Sequence, residues 1–551
     1  MDGAARCDPI ATPRSPNDKP SHGTYASYSS ADTTAPQQEP LRPQEKHSHP
    51  RRKLALAVLF VVVAILSGVL IVKATNRKRS WTPPTRVRRS WKTYSDAEKE
   101  HYLSAVQLAM EKGYHYRFVQ IHTNRMNRIT SHDACPFLLW HRRFVLGYEN
   151  MLRSLAPQYA NLTIPYWNYF EDTNRQLATD VACDSLESCS RFLRDMGGGG
   201  LTDEPAGENM TIEHLDLDTG TCPRKIVEAL GPDLLSVLEI FSETKQDDEA
   251  TQGGAHAVLS HAIETTFHNS LHNTLNATMR YTSSPFDPIF MGHHGTVDLA
   301  QLVFNKCKYV ASDAVVIDWT TATRSTRFDV FSSCDIEDVG DYNYTAFGNR
   351  PMQMDFQGLP VSQDPFMQQF FKGDGITYSD WVSAEDLDAS NRYTYAIDPY
   401  LQRLLESHNV RCPPYLYREN VSPSGRRLRE DAESENDARD RESALRLVET
   451  LADCGKEITE QHTKIDYRQR IEQEGLIKCL VVEEKSGGEI RDYDDAFRKM
   501  MKMAATDSPY CVTLLRRYRS GELALLASDN CLRRYGDQTG VDLLTKRTKQ
   551  E

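Results

Sequence analysis

The stretch HTNRMNRITSHDACPFLLWHRRFVLGYE, His122 to Glu149, sets the architecture of this chain, and HNSLHNTLNATMRYTSSPFDPIFMGHHGTVD, His268 to Asp298, completes it. Eleven of the seventeen histidines lie between His115 and His294, and the twelve cysteines form no CxxC pair. Neutral imidazole is a borderline-soft ligand suited to copper, zinc and iron. Two histidine clusters on apolar, aromatic-rich helical stretches therefore predict a mainly α fold with a two-metal site between helices.

In the first stretch a helix is expected from Pro136 onward, with His141, Val145, Tyr148 and Leu152 on one stripe and Arg142 and Arg143 pointing elsewhere. A histidine on such a stripe is either a satisfied core residue or a ligand. His122 rides on a helix from Tyr116 to about Met126, and His132 follows in a short loop. Upstream, Ser95-Asp-Ala-Glu98 reads as a capping box opening a helix with Leu103, Val106 and Met110 on one face, ended by Gly113. In the second stretch Glu264, His268 and His272 are spaced i, i+4, i+8 and share a helix face, which Asn276 would extend by one turn. No HExxH is present, which removes the common zinc-protease reading. His294 and Asp298 lie one turn apart beyond Asp287-Pro288, His294 as a ligand and Asp298 as a cap or orienting carboxylate.

Working outward, residues 1–50 are Pro-, Ser-, Thr- and Gln-rich and read as a disordered cytoplasmic tail. Residues 51–75 contain LALAVLFVVVAILSGVLIV, nineteen uncharged positions, and are expected to form a transmembrane signal-anchor helix. Residues 76–94 follow as a basic juxtamembrane linker. Its Arg86-Val-Arg-Arg89 reads either as a dibasic processing site or as the solvated start of the folded part. Sequons at Asn161, Asn209, Asn276, Asn343 and Asn420, with eleven cysteines beyond residue 130, favour a type II protein whose body is luminal or extracellular. Eleven is odd, so at least one cysteine is unpaired or otherwise used. Residues 1–89 carry 15 Lys/Arg against 6 Asp/Glu and the rest 50 against 71; that acidic body argues against a nucleic-acid partner. Gly197–Gly200 mark a flexible loop. The histidine domain is expected over 95–420, a linker over 421–443, and a C-terminal helical module over 444–545 in which Cys454, Cys479, Cys511 and Cys531 give two disulfides.

The pattern His132…Phe137-Leu-Leu-Trp140-His141-Arg142-Arg143…Glu149, with Tyr-Trp-Asn at 166–168, resembles the first copper motif of tyrosinases. His268-Asn269-x-x-His272 followed by Asp287-Pro-Ile-Phe290-Met-Gly-His-His294-Gly-Thr-Val-Asp298 resembles their second. The resemblance covers about residues 88–320. It implies a four-helix-bundle dicopper core in a loop-rich surround, with one copper on His122, His132 and His141 and the other on His268, His272 and His294. His115 is the alternative to His122, since it would restore a longer gap to His132. In the His293-His294 pair the family pattern puts the ligand second. Leu139 stands where many members have Pro, a packing change. Thr130 stands where many have a Cys thioether-linked to a histidine, so that link is expected to be absent and Cys135 to be free or in a disulfide.

The resemblance further implies a binuclear copper enzyme that uses O2 to oxidise o-diphenols, and in true tyrosinases monophenols, to o-quinones, the chemistry of pigments and cross-links. The substrate is then a small phenol. Asn269 matches the position that assists phenol deprotonation in the family, and Glu264 is the nearest carboxylate to orient the water that takes the proton. A haemocyanin-like oxygen carrier and a catalytically silent or zinc-loaded relative are the competing classes. The C-terminal module is expected to cover the mouth of the site until cleavage near Arg426–Arg429.

Overall fold

The structure, a computed structural model, describes residues 86–132, 136–182, 186–196, 259–275, 277–310, 350–373, 375, 377–417 and 435–548. The 1–50 tail, the 54–72 span, Gly197–Gly200, Cys135, Asn276, the 421–434 part of the linker with Arg426–Arg429, and four of the five sequons lie outside them. Asn161, in the remaining sequon, is exposed. Among the described residues no helix is long and apolar enough to cross a membrane.

The protein is mainly helical. Helix α1 (Asp96–Glu111) opens with the expected capping box, Ser95 and Glu98 each satisfying the other's backbone N–H. Gly113, at φ +71°, turns the chain into α2 (Tyr114–Thr123), and α3 (Arg125–Ser131) leads on toward His132. Helix α4 (Phe137–Ser154) is buried on every side: Arg142 and Arg143 are buried along with the His141–Leu152 stripe, contrary to the amphipathic reading. The reason is hydrogen bonding. Arg142 Nη1 donates to Trp381 O and Val382 O, its Nε to Asp298, and Arg143 Nη1 to Met352 O. Helix α5 (Tyr169–Leu177) is capped by the Asn168 side chain. A π turn at Glu264–His268 runs into α6 (Asn269–Leu275), and α7 (Ile289–Lys306) packs along α4. Gly295 lets the 165–166 backbone approach α7 closely, since a Cβ there would stand 2.8 Å from Pro165 O.

Among the described residues, three two-stranded ladders tie loops to this core. Val87–Arg88 pairs in parallel with Thr394–Tyr395, Lys308–Tyr309 antiparallel with Val410–Arg411, and Asp355–Phe356 antiparallel with Leu359–Pro360. The first ladder puts Arg86-Val-Arg-Arg89 at the start of the folded part, as the second reading expects, but corrects its solvation at Arg88. Arg88 is fully buried, bonded through Nε to Glu149 and through Nη1 to Asp298 and Tyr395, so it is neither a solvated linker residue nor open to a protease.

After α8 (Pro399–Ser407) the C-terminal helices are α9 (Glu435–Gln461), α10 (Tyr467–Lys485), α11 (Asp495–Met501), α12 (Tyr510–Arg519), α13 (Asp529–Thr539) and α14 (Leu543–Thr548). Helix α9 packs on α5 and α8, and one hydrophobic core runs from Trp91 to Leu543. A buried pair, His408 Nε2 to Glu474 Oε2 at 2.7 Å, joins the end of α8 to α10. Cys454–Cys531 and Cys479–Cys511 are the two expected disulfides of these helices, and Cys307–Cys412 closes the histidine domain. Among the described residues no cysteine is free.

Candidate metal centre

Two groups of side chains bring ring nitrogens within 4.8 Å of one another: His122, His132 and His141, and His268, His272, His293 and His294. All seven are buried. The first group is assembled by α2, the turn after α3 and the first turn of α4; the second by the π turn, α6 and the start of α7. The groups adjoin, because the His141 and His294 rings stack with centroids 4.3 Å apart.

Most of these imidazoles are held by one nitrogen. His122 Nδ1–H donates to Thr282 O at 2.7 Å and His141 Nδ1–H to Phe137 O at 2.9 Å. His272 Nδ1–H donates to Met279 O, and His268 Nδ1–H to Asn269 Oδ1 at 2.9 Å. His132 Nδ1 meets Ser131 Oγ at 2.9 Å. The tether fixes the tautomer and turns Nε2 inward, where the His141 and His122 Nε2 atoms lie 3.4 Å apart. His268 Nε2 and both nitrogens of His293 and of His294 are buried with no hydrogen-bond partner. Buried polar atoms in a folded protein are almost always paired. A group of unpaired, lone-pair-bearing nitrogens at this density fits a bound cation.

Electrostatics agree. Burial, and then neighbouring imidazoles, hold His141, His268, His293 and His294 well below the usual histidine range; burial alone takes His272 down to about 4. The rings are therefore neutral and able to donate lone pairs at ordinary pH.

His115 is excluded from the site. Its Nδ1 meets the Tyr148 hydroxyl at 2.8 Å and its Nε2–H donates to Phe286 O at 2.9 Å, so both nitrogens are occupied. His293 joins its group unforeseen, stacked on His268 and against Tyr169. His294 is the one of the pair whose ring lies on His141 of the other group, and on Phe290. Asp298 does not orient a histidine: its carboxylate accepts from Arg142, Arg88, Tyr393 and Tyr395. Asn269 is buried beside His268, with Nδ2 unpaired. Glu264 is buried at the start of the π turn, and that turn breaks the plain i, i+4 register expected between it and His268.

The centre opens into a cavity of about 10 Å³, room for about one water molecule. Its walls are His122, His132 and His272 together with Arg280, Tyr281, Met500, Met501 and Lys502. The last three residues come from the end of α11. That helix is seated by an Arg280–Asp494 ion pair, by Arg280 over the Phe497 ring, and by the Tyr493 hydroxyl bonded to Ser270 Oγ and Thr265 O. No short sequence signal marked α11 as the wall of this cavity.

Residues 112–305 match the family model described as the common central domain of tyrosinase. The tyrosinase of Streptomyces lincolnensis is 28% identical over 229 residues, 38% of this chain and 80% of that protein. A tyrosinase-like protein of Caenorhabditis elegans is 26% identical over 251 residues, 44% of this chain and 33% of its own length. Bos taurus tyrosinase is 27% identical over 202 residues, 30% of this chain and 37% of its own length.

Proposed function

We propose that this chain, which belongs to the tyrosinase family through its residues 112–305, is a binuclear copper oxidase that converts small phenols to o-quinones with O2. The observation that carries the reading is the pair of adjoining buried histidine groups, the second with buried nitrogens of His268, His293 and His294 that have no hydrogen-bond partner. His122, His132 and His141 would hold one copper, and His268, His272 and His294 the other, on helices arranged as a four-helix core. The copper pair would supply O2 activation and electron transfer.

The chain's own residues do the rest. Backbone carbonyls and Asn269 hold the imidazoles in one tautomer, and the Phe137 and Phe290 rings packed on them exclude water. Asn269 Nδ2, without an acceptor, is available to hold a water that takes the phenolic proton, with Glu264 as the nearby carboxylate that orients it. A cavity of about 10 Å³ does not admit a phenol ring. In this reading a wall of the cavity moves to admit substrate, and α11, which supplies Met500 and Met501 to that wall, is the part of the C-terminal helices that would act as the cover. None of the three described disulfides joins those helices to the histidine domain, so non-covalent contacts, among them packing, the Arg280–Asp494 and His408–Glu474 pairs and the Tyr493 hydrogen bonds, would keep them in place after a cut near Arg426–Arg429. The 54–72 span would anchor the body on the luminal or extracellular side.

The test is oxygen uptake by the copper-loaded full chain on L-DOPA and on tyrosine, before and after limited proteolysis. Uptake that rises after cleavage is the expected result. Copper bound with no uptake on either substrate in both states would favour an oxygen carrier. Uptake on L-DOPA alone would withdraw the hydroxylation roles of Asn269 and Glu264.

A further inference from the structure

The segment Met500-Met501-Lys502-Met503 puts three thioethers in four residues, and its first three residues line the cavity of the histidine chamber. Met500 and Met501 wall the same narrow cavity as His122, His132 and His272. Met501 is buried on Tyr493 and Phe497, and Met500 and Met503 pack on that same small cluster, separate from the main core. Lys502, at φ +57°, reverses the chain so that Met503 N–H returns to Arg498 O at 2.9 Å. A non-glycine residue in that region is uncommon and carries a steric cost.

Methionine also fills irregular gaps, but a filler has no need of sulfur, and Leu would serve as well. Position adds the chemistry. Thioethers are neutral, soft donors that select Cu(I) and need no deprotonation. The wall charge points the same way. Arg280 is answered by Asp494, whereas Lys502 adds a cation to the cavity wall, and a cationic wall opposes a divalent ion twice as strongly as a monovalent one.

We infer that Met500 and Met501, with Met503 beside them, form a Cu(I)-receiving site through which the ion reaches His122, His132 and His272. The inference rests on the copper reading above. The step is ligand exchange alone: Cu–S bonds break as Cu–N bonds form, and the oxidation state does not change.

The test uses the metal-free full chain and its Met500→Leu/Met501→Leu/Met503→Leu variant, a volume-conserving change. Cu(I) is delivered from a competing chelator and followed by X-ray absorption and by the rate at which nitrogen ligation appears. Wild type should show sulfur ligation at low Cu(I) that the variant lacks, and the variant should load about tenfold more slowly. Cu(II) loading should reach the same end point in both. Equal sulfur signals or equal Cu(I) loading rates would overturn the inference. A chain that takes Cu(I) on sulfur but never on nitrogen would overturn the proposed function, and the transfer with it.

Discussion

His294 and Asp298 lie one turn apart on α7, both almost fully buried, and they are opposites in hydrogen bonding. Both nitrogens of His294 lack partners, whereas the Asp298 carboxylate takes donors from Arg142, Arg88, Tyr393 and Tyr395. Arg142 and Arg88 hold Asp298 below the usual carboxylate range despite its burial, and Arg88 and Arg86 do the same for Glu149. Burial of a polar group is thus resolved in two ways on one helix. Where partners saturate it, the residue locks α4, α7 and the 87–88 strand together. Where partners are withheld, buried lone pairs remain that could hold a metal ion.

This contrast predicts different costs of removal. Asp298→Ala strands two buried arginines and should lower unfolding free energy by about 3–5 kcal/mol, read from urea melts of the metal-free chain. A loss under about 1 kcal/mol would mean that the cluster does not lock the fold. Next in size is a pH effect at His115, which burial takes down to about 4 while the unfolded value is near 6.5. The unfolded chain then binds the proton first. Stability is full above about pH 6.5 and falls by up to about 3 kcal/mol as pH drops toward 4. In the copper-loaded chain, His115→Gln should flatten that slope, and an unchanged slope would place the titration elsewhere. Ser95→Ala should cost about 1 kcal/mol through loss of the α1 cap, with oxygen uptake unaffected. His294→Leu should be the mildest, near neutral or stabilising without metal, since it removes unpaired polar atoms and little shape.

The site was far more legible in the sequence than its setting. Histidine spacing on helical stretches pointed to two clusters, the resemblance of the two motifs implied six ligands, and the fold brings those six, with His293, into two groups. What the sequence hid was set by distant backbone. The carbonyls of Thr282 and Met279 that orient His122 and His272 leave no residue-type signature. The π turn at Glu264–His268 is an inserted residue that a regular i, i+4 count passes over. Arg88, Arg142 and Arg143 looked solvent-facing because charge is ordinarily exposed, and their burial depends on carboxylates and carbonyls as far along the chain as Asp298 and Val382. The C-terminal helices gave their disulfides but not the seating of α11 on the histidine chamber.

The most direct measurement is copper per chain after Cu(II) loading and gel filtration, for wild type and for one ligand variant in each group, His141→Asn and His268→Asn. Two separate three-histidine sites predict about two ions in wild type and about one in each variant, with the full secondary structure retained. Wild type that holds no stoichiometric copper, or variants that still hold two, would contradict the assignment.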